Sequence, residues 1–127
     1  MAQEKEEEVV GAESFYCNFD GETLYAAFDA AVKDAYYWHG HSGYSGTICE
    51  KKSVVAYRNV PDMTIEQAEE LFDLLDRGWK GVDPSIVEKF GEEVASEMQS
   101  NFDNKWGPAV AFHLQDGSWF FCGMASC

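Results

Sequence analysis

Apolar residues recur along this chain with two periods, and the change from one to the other divides it into elements. From Glu22 to His39, the residues Leu24, Ala27, Phe28, Ala31, Val32, Ala35 and Tyr36 fall three or four apart, the stripe of an amphipathic helix. Gly40 supplies the left-handed turn that ends it. A second stripe, Ile65, Ala68, Leu71, Phe72 and Leu75, follows Thr64, whose spacing from Gln67 is that of a capping box; Met63 is placed to staple against Ala68 and Gly78 to stop the helix. A third helix is predicted from Asp83 and Pro84, as cap and first-turn proline, to about Phe102, with Val87, Phe90, Val94 and Met98 inward. Gly91 within it costs about 1 kcal/mol relative to alanine.

Strands are predicted elsewhere. SFYCNFDG at 14–21 alternates aromatic and small residues before a glycine and reads as a short strand, with Asp20 placed to cap the first helix. TICEK and VVAYRNV read as two more, ended by Pro61. In AVAFHLQ-DG-SWFFCGMAS, Asp116-Gly117 reads as a two-residue type I′ turn. Counting outward pairs Gln115 with Ser118, Leu114 with Trp119, His113 with Phe120 and Phe112 with Phe121. One face is then Val110, Phe112, Leu114, Trp119 and Phe121; the other, smaller but still mostly apolar, is Ala109, Ala111, His113, Phe120, Cys122 and Met124. Such a sheet needs a cover on both sides, from helices, a ligand or a second copy in a homodimer.

The order of elements predicts an α+β domain: an antiparallel or mixed sheet of four to five strands, about three helices packed on it, and a C-terminal β-hairpin. With 127 residues, 46% hydrophobic and 15% aromatic, one core fits and a second does not. The domain is expected over residues 14–127, behind an acidic leader at 1–13 whose EKEEE run has nothing apolar to bury and is expected to be disordered. That acidic start is unlike a secretory signal, and no apolar run approaches the roughly 18 residues of a membrane span. The spacings of Cys17, Cys49, Cys122 and Cys127 match neither a metal knuckle nor a disulfide framework. These features together predict a cytoplasmic protein.

Charge narrows the class of partner. The net charge is −14, of which residues 62–103 carry −9. Such a chain is repelled by nucleic acid and anionic membranes and attracted to basic protein surfaces. Glu66, Glu69, Glu70 and Asp73 lie three and four apart on the second helix, where like charges cost a few tenths of a kcal/mol per pair. With Glu92 and Glu93, they form a candidate binding face that imitates phosphate spacing.

The stretch WHGHSGYSGTICEK at 38–51 is the other concentration of chemistry. As a phosphate cradle it is poorly placed, because it follows a helix C-terminus, whose dipole repels anions. As a zinc site, His39, His41 and Cys49 lack a fourth ligand and a known spacing. As a catalytic set, His39 or His41 would act as base toward Ser45 or Tyr44 with Glu50 orienting it, but the spacing does not force convergence. A structural loop explains the same residues, as does a small-ligand pocket using His39, His41, Tyr44, Ser45, Glu50 and Lys51. No cofactor or metal is called for.

With HGHSGYSGTICEK after the first helix, KWGPAVAF later and FFCGMAS at the end, the chain resembles small uncharacterised bacteriophage and bacterial proteins. Their shared stretch is Gly-Tyr-(Ser/Thr)-Gly-Thr-Ile, here Gly43 to Ile48, followed by a Glu-Lys pair, here Glu50 and Lys51. Cys49 and Cys122 depart from that pattern, and the resemblance implies no activity. The reading favoured is a non-enzymatic phage-type binding protein, for example an inhibitor of a host defence or nucleic-acid-handling protein, acting through its acidic helical face. The alternatives are a protein sequestering a small ligand, such as a nucleotide, at loop 39–51, and a small hydrolase or transferase using a loop histidine.

Overall fold

The computed structural model describes residues 11–39, 45–78 and 80–127. Among these the elements are, in order, β1 (Ala12–Phe19), α1 (Leu24–His39), β2 (Val54–Ala56), α2 (Ile65–Asp76), α3 (Pro84–Phe90), α4 (Glu92–Asp103), β3 (Ala109–His113) and β4 (Trp119–Ser126). The strands form one mixed sheet in the order β1-β4-β3-β2, in which β1 and β3 run antiparallel to β4 and β2 runs parallel to β3. This is the expected α+β architecture with its C-terminal hairpin.

The hairpin closes one residue differently from the two-residue expectation. Phe112 lies opposite Phe120 and Val110 opposite Cys122. Leu114 N–H donates to Ser118 O at 2.9 Å, so the loop has three residues, with Gly117 at φ +91° in its last position. Asp116 fixes it by accepting from Ser118 N–H at 2.9 Å and Ser118 Oγ–H at 2.6 Å. Glycine thus takes the left-handed position of a bulged three-residue loop, not the second position of a type I′ turn. A one-residue slip exchanges the faces of one strand relative to the other. Phe120, Cys122 and Met124 therefore join Val110, Phe112 and Leu114, while Trp119 and Phe121 join Ala109 and Ala111.

Both faces are covered from within the chain. On the first, Val110, Phe112, Leu114, Phe120 and Cys122 pack with Ala68, Leu71, Phe72 and Leu75 of α2, Ile86 of α3, and Ala95, Met98 and Phe102 of α4. On the second, Ala109, Ala111 and Phe121 pack with Ala27, Ala31 and Ala35 of α1. Fully burying each large side chain contributes roughly 1.5–3 kcal/mol. On this side of the sheet the cover is α1.

Four local features differ from expectation. The third helix is two, because Gly91 at φ +91° and ψ 158° ends α3 and begins α4 in a region that is essentially glycine-only. TICEK is not a strand: Ile48–Glu50 is a 3₁₀ turn capped by Thr47, whose side chain accepts from Cys49 N–H. Thr23, not Asp20, caps α1 through Ala26 N–H at 3.1 Å. The first strand starts at Ala12, so Ala12 and Glu13 pair with Ser126 and Ala125 instead of belonging to the leader, whose residues 1–10 lie outside the described residues. Gly40, the predicted end of the first helix, also lies outside them.

Candidate functional site

The acidic helix is held rigidly enough to display its charges. Thr64 Oγ1 accepts from Gln67 N–H at 3.1 Å and Gln67 Oε1 accepts from Thr64 N–H at 3.0 Å, which completes the capping box. Ala68, Leu71, Phe72 and Leu75 are buried, and the helical period then directs Glu66, Glu69, Glu70 and Asp73 to solvent, where all four are exposed. Among the described residues Lys33 pairs with Asp29 and His113 Nδ1 lies 3.0 Å from Asp62 Oδ1, and no such contact there involves the four carboxylates.

Glu92 and Glu93 are not part of this cluster. Gln99 of α4 bonds to Leu75 of α2, and Phe102 meets Phe72 edge-on at 5.8 Å, so the two helices run antiparallel. Glu92 and Glu93 therefore lie beyond the C-terminal end of α2, on the order of 20 Å along the helix axes from Glu66. They occupy the first turn of α4, which has no side-chain cap. Negative charge there is favourable to the helix dipole, a local explanation that Glu66, in the first turn of α2, shares but Glu69, Glu70 and Asp73 lack.

The described part of loop 39–51 closes on itself. Ser45 Oγ–H donates to Glu50 Oε2 at 2.7 Å, Ser45 N–H donates to the same oxygen at 3.0 Å, and Ser45 Oγ lies 2.8 Å from Thr47 Oγ1 and 3.0 Å from Cys49 Sγ. This polar knot holds the 3₁₀ turn and occupies the Ser45 hydroxyl. Lys51 leaves the loop entirely: it is buried, and its ammonium donates to the carbonyls of Asn104 and Gly107, both at 3.1 Å. Burial lowers its pKa to about 8, opposed weakly by the nearby Cys122. Its role is to tie the turn to the segment that leads into β3. His39 is exposed at the end of α1, while His41 and Tyr44 lie outside the described residues. No group of three or more His, Cys, Asp or Glu side chains among the described residues could hold a metal ion.

A cavity of about 170 Å³ lies between β1 and α1, bordered by Cys17, Asp34, His39, Thr47 and Ile48. This is below the roughly 300–1,000 Å³ of small-molecule sites. Burial pushes the Cys17 thiol up to about 12, with Asp34 adding to the effect, so Cys17 borders that cavity as a neutral thiol.

The larger recess was not anticipated from sequence. A groove of about 580 Å³ runs between α2, α3 and the segment 61–63 that enters α2. Its floor is Met63, Leu71, Leu74, Ile86 and Phe90, and Asp62, Glu70, Arg77 and Lys89 stand around it. Gly91 separates α3 from α4, and α3 supplies one wall of the groove opposite α2. Pro61 and Pro84, at the entries to the two walls, were the available sequence signals.

No helix among the described residues is long and apolar enough to cross a membrane. In comparisons with known proteins, the chain matches no family model, no curated protein and no solved structure.

Proposed function

We propose that the protein is a non-enzymatic binding protein that docks a basic surface of another protein against the outer face of α2. One observation carries this reading: Glu66, Glu69, Glu70 and Asp73 are all exposed on one face of a helix whose opposite face is fixed in the core, and no ion pair among the described residues neutralises them. Side chains that repel one another by a few tenths of a kcal/mol per pair gain attraction when a cationic surface meets them. Its resemblance to small bacteriophage proteins extends the proposal to an inhibitor working in the host cytoplasm, with a host defence or nucleic-acid-handling protein as partner. Such proteins carry the basic grooves that a row of carboxylates, imitating phosphates, would occupy.

The test is capture from host lysate with wild-type protein and with the variant Glu66→Lys, Glu69→Lys, Glu70→Lys, Asp73→Lys. The expected result is a basic partner retained at low ionic strength, released at high ionic strength, and not retained by the variant. A partner held equally by both proteins and insensitive to salt would remove the acidic face from the interaction.

A further inference from the structure

The groove beside the acidic face is floored by the edge of the main core, where some of the apolar side chains remain open. Met63, Leu71 and Ile86 there are buried, while Leu74 and Phe90 are only partly so. At 100° per residue, Leu74 falls on α2 between the buried stripe and the acidic stripe, next to Glu70 at the acidic edge. Glu70 thus lines the groove and also belongs to the acidic face. A segment lying across α2 would meet apolar floor and carboxylates together.

We infer that this groove seats large apolar side chains of a basic, amphipathic segment of the partner, whose lysines or arginines meet Glu66, Glu69, Glu70 and Asp73. The inference rests on the reading above and adds the anchor to it. Charge complementarity selects the occupant. Asp62 and Glu70 line the groove with the cations Arg77 and Lys89, and the exposed carboxylates of Glu66, Glu69 and Asp73 lie further round α2, outside the lining. Of these, Asp62 lies 3.0 Å from His113, and Arg77 faces Asp83, whose pKa is lowered first by its hydrogen bonds from Ser85 and then by the Arg77 charge. An acidic amphipathic segment would place its charges against Glu66, Glu69, Glu70 and Asp73, which no ion pair among the described residues engages. Apolar anchors in a desolvated recess, with charges outside it, are how a helix laid in a groove gains both affinity and specificity.

Three synthetic peptides test the assignment by fluorescence anisotropy: one of Lys and Ser, one with Lys and Leu at helical spacing, and one with Glu and Leu at the same spacing. The Lys/Leu peptide is expected to bind about tenfold or more tightly than the Lys/Ser peptide, the gain from burying an apolar side chain. Leu74→Gln, or Gln115→Trp at the groove edge should Leu74→Gln melt early, is expected to abolish that difference and leave Lys/Ser binding unchanged. Equal binding of the Lys/Leu and Lys/Ser peptides would overturn the groove and leave the acidic face standing. Binding of the Glu/Leu peptide as tight as that of Lys/Leu would overturn the basic occupant, and binding of neither Lys peptide would overturn both.

Discussion

Gln99 Nε2–H donates to the Leu75 carbonyl at 2.9 Å, a bond from the middle of α4 to the last turn of α2. It joins the acidic helix to its neighbour through a buried amide. The same nitrogen donates to Asp103 Oδ1 at 2.9 Å, whereas Gln99 Oε1 is buried with no partner among the described residues. An orphaned acceptor costs roughly 1–3 kcal/mol, which offsets much of what the two donated bonds contribute. Leu75 O also accepts from Gly78 N–H at 3.1 Å, so it would not be left unsatisfied. Gln99→Leu is therefore expected to unfold within about 1 kcal/mol of wild type. A loss above about 3 kcal/mol in denaturant titration would show that the amide is needed for the α2–α4 packing.

Gly91→Ala separates two physical arguments. On helix propensity, alanine in the middle of residues 84–102 stabilises by about 1 kcal/mol. Gly91, however, sits at φ +91° and ψ 158°, where a side chain costs about 1–3 kcal/mol of strain although nothing lies within 4 Å of the added carbon. The variant is expected to be less stable by about 1–3 kcal/mol in urea unfolding. A more stable variant would mean that α3 and α4 merge without cost.

This position also shows what the sequence could reveal. The α2 stripe and its capping box were legible because Ile65, Ala68, Leu71, Phe72 and Leu75 repeat over three turns and Thr64 and Gln67 are a specific local device. The break at Gly91 was not, since one glycine costs a helix little and only tertiary packing decides whether it bends. For the hairpin, Asp116-Gly117 marked the turn, but two turn types use the same dipeptide and differ by one residue of register. That difference reassigned Trp119, Phe120, Phe121 and Cys122 to opposite faces. The exposure of Glu66, Glu69, Glu70 and Asp73 followed from periodicity alone. Their separation from Glu92 and Glu93 depended on the antiparallel course of α4, and the groove depended on α3, neither of which is encoded locally.

Lys51 gives a pH dependence of definite sign. Its folded pKa is about 8, against an ordinary value of 10.5. Between these values the unfolded chain holds a proton that the folded protein has released, so this residue adds stability as pH rises from about 8 to about 10.5. Cys17 acts in the opposite sense. With its thiol raised to about 12 from 9.0, it stays protonated in the fold while the unfolded chain loses the proton, so stability falls above about pH 9. Comparing wild type with Lys51→Met at each pH cancels the thiol contribution. The variant is expected to be less stable near neutrality by about 1–3 kcal/mol, through loss of the bonds to Asn104 and Gly107. The gap is expected to widen between pH 8 and 10; a constant or narrowing gap in denaturant titrations would contradict the burial assigned to this ammonium.

The most direct measurement of the central claim is the salt dependence of binding to the Lys/Ser peptide by three proteins. These are wild type, the α2 variant with Glu66, Glu69, Glu70 and Asp73 changed to Lys, and a control with Glu88, Glu92, Glu93 and Glu97 changed to Lys. Both variants change the net charge equally, and all eight positions are exposed. Wild type and the control are expected to lose affinity steeply and alike as salt rises, while the α2 variant binds weakly and nearly independently of salt. Equal losses of affinity in the two variants would mean that the peptide responds only to total charge, and the α2 face would no longer be the binding site.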